Sequence, residues 1–272
     1  MTLHIQHDET VEQLWSTCRT WAELADQLQC IADAGYGDSS RLAEDNAAVT
    51  SGDASLAVTR YVQERAWNAA RMLRFLHRFV FDTHPGQFNM DATVMYPVMR
   101  AALEDAATVV WLQSPDERTE RLLRAFRVFF TENEYFTTNQ SMLGNAVTGN
   151  GISADGARLS EYMSSELAAA RKHFRGLASA AGLDPAQALK KVATSAPIQV
   201  EYGAGSVEFV TWKFLSDLSH FSFMMLRHLA TTRVPGSDAR LEHVTVLQFA
   251  GTMNRVCRDA VRVLELAAVI SD

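Results

Sequence analysis

Apolar residues recur at helical spacing along most of this chain, and polar residues fill the opposite arcs. Val11, Leu14, Trp15, Cys18, Ala22, Ala25 and Leu28 form the first such stripe. Thr10-x-x-Gln13 reads as a capping box ahead of it and Gly35 as its stop, which predicts a helix over 10–34. A short helix follows from Ser40 to Val49, and Ser51-Gly52-Asp53 breaks the chain. Val58, Val62, Ala66, Ala69, Leu73, Leu76 and Val80 step by fours and threes and predict a long helix over 54–82. It should end at Thr83-His84-Pro85-Gly86, because a residue before proline avoids the α region.

Val98, Ala102, Ala106, Val109 and Val110 predict a helix over 97–113, which Pro97 opens or kinks. Ser114-Pro115-Asp116-Glu117 then reads as the N-terminus of a helix over 115–142, with Ser114 as its cap. Glu117 with Arg121 and Glu120 with Arg124 stand four apart there, so this arginine-bearing side should be a solvated face. Gly144 to Gly151 is expected to be a loop, and a helix over 158–181 stops at Gly182. Asp184-Pro185-Ala186-Gln187 opens a short one. Ile198 to Tyr202 alternates and has no partner strand, so it reads as an extended loop. Two long helices, 206–230 and 239–270, complete the chain. The expected architecture is a single-domain, all-α bundle of about seven to nine helices.

The segment 206–230 carries the main candidate chemistry. It is apolar on most sides, which predicts a central position. Yet Ser216, His220 and Arg227 fall near one face with Asp217 beside them, and buried polar groups must be partnered. Arg100 and Glu104, spaced four apart among alanines and valines, are the natural partners on the helix over 97–113. These six residues describe either a ligand pocket, with His220 as acid or base, or a structural hydrogen-bond network. A second polar stripe, Arg71, Arg74 and Arg78 with His77 adjacent, runs along the helix over 54–82 and suits phosphate contact.

Composition narrows the partners. The chain has 272 residues and a net charge of -7, which disfavours a purely electrostatic DNA binder. Its basic residues are mostly arginine; lysine stands only at Lys172, Lys190, Lys191 and Lys213. Cys18, Cys30 and Cys257 are odd in number and include no Cys-x-x-Cys, so neither a disulfide framework nor a cysteine zinc site is expected. No Glu-x-x-His, His-Glu-x-x-His, phosphate-loop, dinucleotide or Gly-x-Ser-x-Gly motif occurs, and no metal or cofactor is predicted. The N-terminus lacks a basic stretch followed by an apolar one, and no apolar run reaches the ~20 residues of a membrane span, so no membrane association and a cytoplasmic location are expected.

Arg100-Ala-Ala-Leu-Glu104 on one helix and Leu218-Ser219-His220 on a later one resemble, over about residues 58–230, a group of uncharacterised bacterial all-helical proteins, some related to HEPN-type domains. HEPN ribonucleases carry Arg-x(4–6)-His near a helix boundary, in a dimer, without metal. Arg71…His77 and Arg78…His84 both meet that spacing, and the second straddles the predicted helix end. Met72 and Phe79 stand where a polar residue often follows the arginine. The functional expectation is therefore a homodimeric, non-catalytic binding or interaction protein with a polar pocket between helices, its small-molecule or protein partner open. The resemblance implies the alternative, a metal-independent ribonuclease of toxin or defence type acting on RNA. There Arg78 would stabilise phosphate charge and His84 would act as acid or base. A small-molecule enzyme centred on His220 is a third reading.

Overall fold

A computed structural model describes residues 9–50, 57–81, 91–149, 153–220 and 222–268 of the chain. Among these residues it forms eleven α-helices and no strand, so the chain is all-α. They are α1 (Glu9–Ala34), α2 (Arg41–Thr50), α3 (Val58–Phe81), α4 (Ala92–Gln113), α5 (Arg118–Gly149), α6 (Ser153–Ala180), α7 (Pro185–Ala188), α8 (Ala196–Tyr202), α9 (Val207–Ser219), α10 (Phe223–Thr231) and α11 (Leu241–Ala268). The chain divides into two compact units: residues 1–41, 59–114 and 194–272 in the first, and 42–58 and 115–193 in the second.

The first unit is organised on α11, which packs against α1, α4, α9 and α10. Its interior side includes Val246, Ala250, Met253, Val256, Cys257, Ala260 and Leu264, all buried. α1 and α3 run antiparallel: Trp15 meets Phe81 edge-on at one end, and Trp67 Nε1 donates to Asp33 Oδ1 at 2.9 Å at the other. Asn254 of α11, itself buried, donates to the Thr17 carbonyl and to Thr20 Oγ1 of α1, so a polar clasp lies inside the apolar seam. α9 lies antiparallel to α11, with Glu208 near Arg255 and Phe214 near Phe249. It also packs on α4, as does α8.

In the second unit α5 and α6 form an antiparallel pair, with Phe130 edge-on to Phe174 and α7 packed on both helices. α6 closes where the sequence expects. Gly182 takes φ 73°, and Leu183 N–H and Gly182 N–H return to Ala178 and Ser179 carbonyls. A side chain would be strained in that left-handed turn, which is why glycine stands there.

The helix count exceeds the expected seven to nine for two local reasons. Residues 196–202 form α8 rather than an extended loop: Pro197 sits in its first turn and Gly203, at φ 90°, ends it. The anticipated helix over 206–230 is two helices. Ser206 caps α9 by accepting from Phe209 N–H, and the helix ends at Ser219, whose hydroxyl turns back onto the Leu215 carbonyl. Other boundaries move as well. α4 begins at Ala92, with Asp91 as its cap, so Pro97 lies inside it. Ser114 closes α4 instead of capping α5 and gives its hydroxyl to Glu201 Oε2 at 2.6 Å. α5 continues helical through Gly149, over most of the expected loop.

Candidate functional site

The predicted pairing of the segment after residue 206 with the helix around residue 100 exists, through a residue the sequence reading did not single out. On α4, Arg100 Nε donates to Glu104 Oε1 at 2.9 Å. From α9, Trp212 Nε1 donates to the same oxygen at 2.7 Å. The Arg100 guanidinium lies over the Trp212 ring, 5.8 Å from its centroid, and the Phe209 ring stacks near the same indole. One carboxylate oxygen thus anchors a cation and an indole that also face each other. Arg100 and Glu104 are each about three-quarters buried, so the network is reached by solvent from one side.

The terminal nitrogens of Arg100 form no hydrogen bond or ion pair among the described residues. Glu104 holds the inner edge of the guanidinium and leaves the two-pronged outer edge presented. That edge matches a planar oxyanion.

The other predicted members of the site stand differently. Ser216 follows Trp212 by one turn of α9 and is half-buried. Asp217 is exposed. His220 is the C-terminal cap of α9, at φ -91° and ψ 19°, with its side chain exposed. Arg227 lies on α10 and is exposed. No hydrogen bond or ion pair joins any of these four to Arg100 or Glu104. The all-round apolar character of the segment therefore does not mean burial. Val207, Val210 and Phe214 face solvent, Phe214 at 41% exposure.

On α3, Arg71 and Arg78 are exposed, while Arg74 is bound to Asp26 and Gln29 of α1. His77 is half-buried and rests on the Phe81 ring. His84 lies outside the described residues.

A second polar feature sits one turn before Arg100 on α4. The Tyr96 side chain is wholly buried, its ring edge-on to Phe249, and its hydroxyl has no hydrogen-bond partner among the described residues. Burial pushes its pKa up, and the negative charge of Glu242 on α11 adds to that. Glu242 is itself half-buried: burial raises its carboxyl above the ordinary value, Arg240 opposes the rise, and Asp91 reinforces it. A carboxyl whose folded pKa is raised contributes stability below its unfolded pKa and loses it as pH rises through the folded one. Glu242→Gln should therefore melt higher than the parent at about pH 8, and the two should converge below about pH 4. Thermal melts across that range check it, and equal melting at both ends would remove the inference.

In the second unit, Glu134 of α5 is an almost fully buried carboxylate, its side chain 3% exposed. Arg171 of α6 donates to it, through Nε at 2.8 Å and through Nη2, and Lys191 Nζ stands 2.5 Å from its other oxygen. Burial by itself would raise the Glu134 pKa; the hydrogen bonds from Lys191 and Arg171 outweigh it and hold the carboxyl below its ordinary value.

Among the described residues no cluster of three or more His, Cys, Asp or Glu side chains is placed to hold a metal ion, and no helix is long and apolar enough to cross a membrane. No family model, no curated protein and no solved structure matches this chain.

Proposed function

We propose that this chain is a binding protein for a carboxylate-bearing ligand with an apolar body, received at the α4–α9 junction of the first unit. What supports this is the state of Arg100: its Nε is fixed by Glu104, its face is set against Trp212, and its outer nitrogens are unclaimed among the described residues. A guanidinium held in that way needs little further ordering to accept a carboxylate. The Phe209–Trp212 pair continues beside it as an aromatic wall for the rest of the ligand. The polar inter-helix site expected from sequence is thus kept in its α4 half, Arg100 and Glu104, while Trp212 takes the place of His220.

The test uses benzoate and hexanoate as probes and the Trp212 indole N–H resonance as reporter, assigned by its loss in Trp212→Phe. Titration should move that resonance saturably in the parent. Arg100→Lys keeps the charge and loses the fork, and should weaken binding by about tenfold, the order of one charge-assisted hydrogen bond. A resonance that stays put with both probes, or binding that survives Arg100→Gln unchanged, overturns the proposal.

A further inference from the structure

Three of the four lysines in the chain lie in the second unit, close together in structure as well as in type. Arg171, Lys172 and Arg175 fall on one arc of α6, because residues three and four apart share a face and the next neighbour is only a hundred-degree step away. All three are exposed. Lys190 and Lys191 follow α7, are exposed too, and are drawn to the same place, since Lys191 and Arg171 grip the one Glu134 carboxylate. The backbone of this tail is fixed next to α5 by Val192 N–H donating to Thr131 Oγ1 at 3.0 Å. Lys172, Arg175 and Lys190 form no ion pair among the described residues.

The patch therefore gathers five cations around the buried Glu134, with exposed Glu132 one turn before Tyr135 as a further carboxylate on α5, in a chain whose net charge is -7. Glu134 acts as the keel: too buried to face a ligand, it orders Arg171 and Lys191 and leaves the outer surface positive. Tyr135, the next residue of α5, is 54% exposed. An exposed aromatic ring on the residue next to the carboxylate that orders these cations offers a face on which a base of a single strand can stack while phosphates are neutralised.

We propose that the C-terminal half of α6, with the Lys190–Lys191 tail and Tyr135, binds single-stranded nucleic acid through its phosphodiester backbone. Binding is sequence-tolerant, because every contact on this surface is to phosphate or to a base face. It is strongly salt-dependent, because the cations are exposed and act by displacing counterions. An anionic bilayer is the competing occupant, and comparing vesicles with the oligonucleotide separates the two.

The experiment is fluorescence anisotropy of the full chain with a labelled oligouridylate of about 16 nucleotides, from about 50 mM salt upward. The parent should bind with log K falling linearly in log salt. Lys172→Gln/Lys190→Gln/Lys191→Gln should lose about tenfold or more in affinity at low salt and flatten the slope by about two, from three phosphate contacts at about 0.7 each. Tyr135→Ala should weaken binding with the slope unchanged. Circular dichroism checks that each variant keeps its helices, and Arg262→Gln, exposed on α11 outside the patch, should bind as the parent does. Absence of oligonucleotide binding overturns the proposal. So does a triple variant with unaltered affinity and slope, or a parent that prefers vesicles containing phosphatidylserine and loses them in the triple variant.

Discussion

Asp45→Ala is expected to lower the stability of the second unit by about 3–5 kcal/mol, read as a shift of its urea transition. Asp45 and Arg121 form a bidentate pair, at 2.6 and 3.1 Å, with side chains only 2% and 5% exposed. Arg121 Nη1 also donates to the carbonyls of Pro115 and Asp116, which fixes the chain entering α5 to α2 through one guanidinium. Removing the carboxylate strands a positive charge where water scarcely reaches, and the cost of that stranded charge dominates the loss. Asp45→Asn should recover little, since it keeps the shape and not the charge. Asp45→Leu combined with Arg121→Met should recover most of the stability, because both charges leave together. A single substitution that costs less than about 1 kcal/mol would mean that the pair is solvated and its burial unimportant.

This pair also shows what the sequence alone carries and what it conceals. Arg121 stands four residues after Glu117, and the local rule joins them on a solvated face. The folded chain takes Arg121 inward to Asp45, 76 positions away, while the neighbouring Glu120–Arg124 pair forms as spacing suggests. Periodicity is a property of one helix and reports which side is apolar; it is silent on which distant polar group that side meets. For the same reason Arg100 with Glu104 was legible, both lying on α4, and Trp212 was not, although a half-buried indole N–H needs an acceptor and Glu104 supplies it.

The error at α9 has a different origin. Apolar residues on every side read as central burial when the helix is long. Broken at His220, the segment becomes two short helices, and each covers the unit with one side only. Val207, Val210 and Phe214 then remain outward, and His220, placed at the break, meets water. The break has a local mark in Ser219, whose hydroxyl competes with the helical hydrogen bonds by turning onto the Leu215 carbonyl; the continuous apolar run outweighed it. By contrast Gly35, Gly182 and the Asp184-Pro185 start all mark real boundaries, because each acts locally, the glycines through their backbone and Asp184 by accepting from Ala186 N–H, and requires no partner elsewhere.

Trp21→Ala should be the most damaging change in the first unit, costing about 3–5 kcal/mol in urea unfolding. Trp21 is wholly buried on α1, one turn beyond Thr17, on the side that meets α11. Ala250 and Cys257 fall within one turn of Asn254, the α11 residue bound to α1, and both are small and buried, so they cannot extend to fill the space an indole leaves. The indole N–H of Trp21 has no hydrogen-bond partner among the described residues, which separates two contributions cleanly. Trp21→Phe removes that unsatisfied donor and keeps most of the ring volume, so it should cost less than about 1.5 kcal/mol. Were Phe and Ala to cost the same, the loss would belong to the nitrogen and not to the volume, and the small-residue seam between α1 and α11 would no longer account for why a tryptophan stands there.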